Sequence, residues 1–289
     1  MGGALMCAGD GRQAPRAARR LTVHVGVQKT GSTAFHHFIK LNSARILRHL
    51  VVANELINIQ TRALGRAAIA FSLNPDAGTE AALRRTFAGI LAALPAGDQP
   101  VLLTHENLAG AMPGNGGETQ LFPMLPRIAR LLVKEAQGFD LSFVCYTRRQ
   151  EQWLESVWAQ AIRTDGYTGT YAQFLQETAG IAGWDDLTAR LADAIGADRL
   201  LCLAVEEEEH RLKPGCRLLR HAGLPDEEIA ALEPLDQPVM ARLNAGALEF
   251  MRQVNAAPLN PHARAKIARL VTRCQPLFNA DFRPQGNLS

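Results

Sequence analysis

The sequence predicts a doubly wound α/β protein, a parallel sheet covered by helices on both faces. Three observations point there. Short apolar runs of strand length alternate with longer segments of helical periodicity. The runs are continuously apolar instead of alternating, as strands buried on both faces are. Polar groups stand at the C-terminal ends of three of them, the edge where such sheets bind ligands.

Residues 1–20 are rich in Gly, Ala and Arg without periodicity and are expected to be a disordered leader, followed by a single domain over 21–289. The first strand is expected over Leu21–Val27, where valines favour a buried, pleated backbone. A turn, Gln28-Lys29-Thr30-Gly31, leads into a helix from Ser32 that is expected to run on into the Ile46–Leu50 region. Its apolar side is supplied by Phe35, Phe38, Ile39 and Leu41; His36 and His37 read as packed or surface histidines. Residues 53–96 have helical spacing broken near 72–78, predicting two helices around a loop.

A short strand over Pro100–Thr104 precedes His105-Glu106-Asn107, then a Gly/Pro-rich loop over 110–117 and a helix around Leu121–Ala136. The next strand, Leu141–Thr147, ends in Arg148. The helix expected over Glu151–Ile162 carries Trp153, Leu154, Val157 and Trp158 as an apolar, core-facing stripe. Helices follow over Tyr171–Glu177 and Trp184–Ile195, then a strand over Arg199–Val205. The acidic run Glu206–Glu209 reads as a solvated face or a helix N-terminus. Beyond His210 the chain is helical, with breaks at Pro225, Pro234, Pro238 and Pro258.

Charge and cysteine usage narrow the function classes. Of the net charge of +3, all is accounted for by residues 1–20, where Arg12, Arg16, Arg19 and Arg20 oppose Asp10. The remainder is neutral, which argues against a nucleic-acid footprint across the fold. The five cysteines have no metal-like spacing, and Cys145 and Cys202 lie in apolar runs, which favours a reducing, cytoplasmic setting. No run approaches the ~20 apolar residues of a membrane span, and no apolar segment makes a secretory signal of the N-terminus.

The stretch Val23–Thr33 carries the chemistry. Strand, glycine turn and helix start form an anion cradle: the first helical N–H groups lack partners and the dipole is positive there. Lys29 adds charge, Gly31 allows close approach, and Thr30, Ser32 and Thr33 supply hydroxyls. The nucleotide-triphosphatase loop has Lys after its second glycine; here Lys29 precedes Gly31. Arg148, at a strand end, and Ser156, eight residues on in a helix, form a second site able to hold a further phosphate.

These residues resemble the sulfotransferases that use 3′-phosphoadenosine 5′-phosphosulfate (PAPS). His24–Thr33 is similar to the family's 5′-phosphosulfate loop, and Arg148 with Ser156 to its 3′-phosphate motif. The run Tyr146–Ser156 resembles the bacterial branch, and weaker resemblance extends over residues 21–255. The resemblance implies a P-loop-like nucleotide-binding fold and sulfuryl transfer to a hydroxyl or amine, with PAPS as co-substrate and no metal required. It implies that Lys29 stabilises the departing phosphate, that Thr30, Gly31, Ser32 and Thr33 hold the 5′-phosphate, and that Arg148 and Ser156 hold the 3′-phosphate.

For the general base two neighbours compete. Thr104-His105 matches the Thr-His pair of the cytosolic branch, and Thr104-His105-Glu106 matches the Ser-Ser-Glu of the bacterial branch; Glu106 is favoured over His105. Gln28, where many relatives have Pro, is expected to loosen the turn, and His36 departs from a common Gln. The tail over 282–289 is a candidate clamp on the donor. Residues 53–98 and 110–117 are expected to wall a pocket for a small-molecule, glycan or lipid acceptor. The alternatives are a nucleotide kinase-like phosphotransferase, which would want Lys after Gly31 and a strand-end Asp, or a non-catalytic nucleotide-binding module.

Overall fold

The computed structural model describes residues 18–56, 60–237 and 243–279. Five strands, β1 (Arg19–His24), β2 (Val51–Ala53), β3 (Val101–Thr104), β4 (Phe139–Thr147) and β5 (Leu200–Ala204), form one all-parallel sheet in the order β2-β3-β1-β4-β5. In chain order the helices are α1 (Ser32–Leu41), α2 (Ser43–Ile46), α3 (Gln60–Leu73), α4 (Ala77–Ala92), α5 (Leu125–Glu135) and α6 (Gln150–Gln160). They continue with α7 (Tyr171–Glu177), α8 (Trp184–Ile195), α9 (Cys216–Ala222), α10 (Asp226–Ala230), α11 (Ala245–Ala256) and α12 (Pro261–Arg273).

Strand alternation sorts the side chains into two cores. Val23, Leu103 and Phe143 share one face and pack with α3, α4, α5, α6 and α8 through residues such as Phe71, Phe87, Leu132, Trp153 and Leu191. On the opposite face, Leu102 and Val144 pack with Phe38, Ile46 and Leu218 of α1, α2 and α9. Both faces are therefore covered, consistent with the doubly wound arrangement the sequence predicts. A third cluster joins Ile162 to Leu248 and Met251 of α11 and Val271 of α12.

The connections create the site. β1 leads to α1 on one face, whereas its two neighbours β3 and β4 lead to α5 and α6 on the other. Chains that part in this way leave a crevice at the C-terminal edge of the central strand. The three polar strand ends read from the sequence are thus neighbours in space, because β3, β1 and β4 are adjacent.

Several boundaries differ from expectation. The leader expected over 1–20 is too long: Arg19 and Arg20 belong to β1, paired with Phe139 and Asp140, and residues 1–17 lie outside the described residues. The Arg19 guanidinium holds this start in place through Nε to Gln99 O (2.7 Å) and NH1 to Pro95 O (2.8 Å). The helix expected to continue to Ile46–Leu50 stops at Asn42. Its carboxamide donates back to Phe38 O (3.1 Å) and across to Glu233 O (3.0 Å), and it accepts from Glu233 N (2.8 Å). An Asn side chain that bonds to backbone competes with helix continuation. Just beyond, Val51–Ala53 makes an edge strand that the helical reading of residues 53 onward passed over.

The two helices expected around residues 72–78 are α3 and α4, divided where Asp76 caps α4 by accepting from Thr79 N (2.8 Å). The acidic run is tied down more than a solvated face would be. Glu208 accepts from the Tyr146 hydroxyl and from Cys216 N at the start of α9 (3.1 Å), and Glu206 accepts from Arg149 N (2.9 Å). Pro225 precedes α10 as expected; Pro238 and the 282–289 tail lie outside the described residues. No helix among the described residues is long and apolar enough to cross a membrane.

Candidate functional site

At the C-terminal edge of the sheet lies a cleft of about 390 Å³. Lys29, Gly31, Ser32 and Thr33 line it from the β1–α1 turn, Glu106 from the segment after β3, Arg148 from just past the end of β4 and Ser156 from the middle of α6. Residues more than a hundred positions apart in sequence thus share one wall-to-wall space.

The turn is built to leave the helix end open. Gly31 stands at the N-cap of α1 in the left-handed region (φ 93°), and no side chain caps the helix. The first-turn N–H groups therefore meet the cleft without a capping oxygen. Ser32 Oγ is buried without a hydrogen-bond partner among the described residues. A buried hydroxyl left unmatched beside an uncapped helix start is what an anionic oxygen would satisfy. Thr30 differs: its hydroxyl donates to Val27 O (2.6 Å) and it does not line the cleft, so its side chain shapes the turn.

Lys29 also adopts a left-handed backbone (φ 68°), a conformation that non-glycine residues rarely take. Its neighbours hold it there. Arg148 NH1 donates to Lys29 O (3.3 Å), Trp153 Nε1 donates to Gln28 O (2.9 Å), and Lys29 Nζ donates to Gln160 Oε1 (3.2 Å). Gln28, expected to loosen the turn, fastens it instead: its Nε2 donates to Gly110 O (2.8 Å) and Asn107 Oδ1 (3.3 Å). Arg148 is steadied in turn by Trp184 Nε1, which donates to its carbonyl (2.6 Å). Both indoles are in edge contact, with ring centroids 5.0 Å apart.

Strand parity separates the two base candidates. His105 continues the extended backbone of β3 (φ −153°, ψ 128°). Thr104 bonds to His36 of α1, so His105 points the other way, and Glu106, the first residue of a 3-10 turn over Glu106–Ala109, reaches Thr33 of α1. The His105 ring packs over Gly65 of α3, where an added Cβ would lie 2.0 Å from the ring. Its Nδ1 accepts from Asn107 N (3.0 Å), and the residue is 2% exposed. His105 therefore does not line the cleft, whereas Glu106 does.

Glu106 accepts a hydrogen bond from Thr33 Oγ1 (3.2 Å). Burial pushes its carboxyl above the ordinary glutamate range, and repulsion from Glu55 adds to this; the Thr33 bond and the nearby Lys29 charge oppose it. Behind it stands a histidine cluster. Thr104 Oγ1 is shared by His24 Nδ1 (2.7 Å) and His36 Nε2 (3.0 Å). Burial, then the proximity of His105 and His37, lowers His36 to about 4, and burial followed by His36 lowers His24 to about 3. His105 is lowered to about 4 by burial and by Arg62. All three rings are neutral at ordinary pH.

Sequence reasoning missed Gln160, Thr164 and Asp165, which close the far side of the cleft. They are carried by the end of α6 and a π-helical turn over Ala161–Asp165. The signal available was positional: Gln160 lies four residues, one helical turn, after Ser156 and so on the same face. Glu55, beside Glu106 and 3.9 Å from His36 Nδ1, was also missed, because the edge strand that positions it was not foreseen. No protein-family profile, curated protein or solved structure matches the chain.

Proposed function

We propose that this chain is a sulfotransferase with a P-loop-like nucleotide site, moving a sulfuryl group from PAPS to a hydroxyl or amine. The observation that carries this reading is the convergence of two anion-binding groups in one cleft. The Lys29–Thr33 turn, with its uncapped helix and unmatched Ser32 hydroxyl, faces the Arg148–Ser156 pair. A donor with phosphates at both 5′ and 3′ positions needs such a pair, and a cleft of about 390 Å³ falls in the range of small-molecule sites.

In this reading the amides and hydroxyls of Gly31, Ser32 and Thr33 hold the 5′-phosphate. Arg148 and Ser156 hold the 3′-phosphate. Lys29 places its ammonium against the oxygen that bridges phosphorus and sulfur, where negative charge develops as that bond breaks. Glu106 takes the proton from the acceptor, and its raised pKa brings it nearer the working range of a general base. The donor supplies the sulfuryl group: the sulfur–oxygen bond to phosphate breaks, one to the acceptor oxygen or nitrogen forms, and adenosine 3′,5′-bisphosphate leaves. Positioning and fixed charge supply most of the acceleration.

Isothermal titration tests this directly. Adenosine 3′,5′-bisphosphate is expected to bind without magnesium and at least tenfold more tightly than ATP or AMP. Tighter binding of ATP, with magnesium required, would favour a kinase-like phosphotransferase and defeat the reading. A screen for transfer of labelled sulfate to small molecules and glycans then identifies the acceptor.

A further inference from the structure

Beside the cleft, a second groove of about 620 Å³ runs between the π-helical turn and α12. Arg163, Arg264, Arg269 and Arg273 line it. Thr164 lines both the groove and the cleft. The two spaces are also joined by hydrogen bonds: Lys29 Nζ donates to Gln160 Oε1 (3.2 Å), and Gln160 Nε2 donates to Thr164 Oγ1 (3.2 Å). The groove therefore begins two hydrogen bonds away from the lysine at the proposed centre of chemistry.

The four groove arginines are gathered in one place, without acidic partners among the described residues. Helix α12, PHARAKIARLVTR, contains three arginines and a lysine but no Asp or Glu. Positions 264 and 265, 268 and 269, and 272 and 273 recur at the helical period, so Arg264, Arg269 and Arg273 fall along one side. Several arginines elsewhere meet carboxylates, as in Arg45–Glu228 (2.8 Å), Arg84–Glu135 (2.6 Å), Arg127–Glu80 (2.6 Å) and Arg190–Asp186 (2.7 Å). Among the described residues, none of the four groove arginines has a carboxylate within ion-pair distance. Arg264 is packed against Gly166, where an added Cβ would lie 2.9 Å from NH1, and its Nε is buried without a partner among the described residues. Four like charges held together repel one another, and a bound oxyanion relieves that repulsion.

We propose that this groove binds the anionic part of the acceptor, so that the acceptor is an acidic oligosaccharide bearing carboxylate or sulfate groups. The inference rests on the sulfuryl-transfer reading and names its substrate class. Guanidinium forks match carboxylate and sulfate oxygens in pairs, and a sugar supplies the hydroxyl that the adjoining cleft needs. A groove open at its side accommodates a chain longer than the reacting unit. Nucleic acid is the weaker match, since none of the described residues lining the groove is aromatic and so none offers a base a ring to stack on.

The test uses the full chain and four probes: a galacturonic acid hexamer, a heparin hexasaccharide, neutral maltohexaose and a single-stranded DNA octamer. Adenosine 3′,5′-bisphosphate is titrated in parallel. At least one acidic oligosaccharide is expected to bind saturably while maltohexaose does not, and the preferred one tells carboxylate from sulfate. Charge reversal at the exposed pair, Arg269→Glu with Arg273→Glu, is expected to weaken that binding at least tenfold while bisphosphate affinity stays within twofold. Should the double variant fold poorly, Arg269→Gln alone and a salt titration of the unaltered protein are expected to show the same loss. No binding of either acidic probe, binding insensitive to these changes, or tighter binding of the DNA would overturn the inference while leaving bisphosphate binding intact. Absent bisphosphate binding by the unaltered protein would sink the sulfuryl-transfer reading, and the acceptor role with it.

Discussion

Gly26 passes directly over Glu106: a Cβ added to the glycine would lie 2.7 Å from Glu106 Cα and 2.9 Å from His105 O. The obstacle is backbone, which a rotamer change cannot move. Gly26 thus sets how closely the end of β1 approaches the segment carrying the proposed base. Gly26→Ala is expected to push the two strand ends apart at a cost of about 1–3 kcal/mol, as overpacking of a close interior does. A urea-unfolding midpoint equal to that of the unaltered protein would show that the approach is not tight.

Lys29 sits in a left-handed conformation that costs a non-glycine residue about 1–2 kcal/mol. Lys29→Gly relieves that strain, so stability is expected to hold or rise while sulfate transfer falls by about 100-fold or more, the size seen when one charge-stabilising donor is removed. Lys29→Ala should lose activity equally without the gain in stability. Thermal denaturation paired with a transfer assay separates the two effects. Full turnover by either variant would remove Lys29 from the chemistry.

Under the proposed function, Arg148 holds the 3′-phosphate. Arg148→Ala is expected to weaken adenosine 3′,5′-bisphosphate by about 2 kcal/mol, roughly 30-fold, the scale of a hydrogen bond to a charged group. Binding of adenosine 5′-phosphosulfate, which lacks that phosphate, should change far less. Calorimetry with the two ligands makes the comparison, and equal losses would mean that Arg148 acts through its bond to Lys29 O instead.

Glu106 has its pKa raised, first by burial and then by Glu55. A base must be deprotonated to work, so kcat/KM should rise with pH through a value above the ordinary glutamate range and then level off. The stability effect has the opposite sense. Because the folded state holds this proton more tightly than the unfolded chain, stability falls as pH rises from the unfolded pKa through the folded one. Glu106→Gln is therefore expected to be more stable than the unaltered protein at neutral pH while transfer falls by about 100-fold or more. A variant that loses activity and stability together would point to a structural role.

The histidines behind the cleft make the fold sensitive to acid. His36 and His105 are lowered to about 4 and His24 to about 3, so the unfolded chain takes up protons below pH ~6.5 that the folded state refuses. Stability should fall as pH drops from about 6.5 toward 4, since each unit of depression is worth about 1.4 kcal/mol. Urea midpoints across that range measure it. A flat profile between pH 7 and 4.5 would mean that the rings find partners when charged.

Much of this was readable from the residues themselves. Valine and leucine runs locate the central strands, and the Lys29–Thr33, Glu106 and Arg148–Ser156 groups do meet in one cleft, because a parallel sheet brings all its C-terminal ends to one edge. The failures share a cause, which is dependence on partners distant in sequence. Asn42 ends its helix through bonds to Glu233, nearly two hundred residues away, and Val51–Ala53 is a strand only because β3 pairs with it. The choice between His105 and Glu106 was within reach. Leu102 and Thr104 fix the parity of β3, and its alternation carried one residue on turns His105 away from the cleft, leaving Glu106, which the sequence reading already favoured.

The indoles of Trp153 and Trp184 hydrogen-bond to the carbonyls of Gln28 and Arg148, one on each side of the proposed phosphate clasp. The chain has three tryptophans, and these two bond directly to the backbone of the clasp. The protein consequently carries its own optical probe. Occupancy of the clasp is expected to alter intrinsic fluorescence without any attached dye, and stopped-flow mixing can then resolve the order in which donor and acceptor arrive.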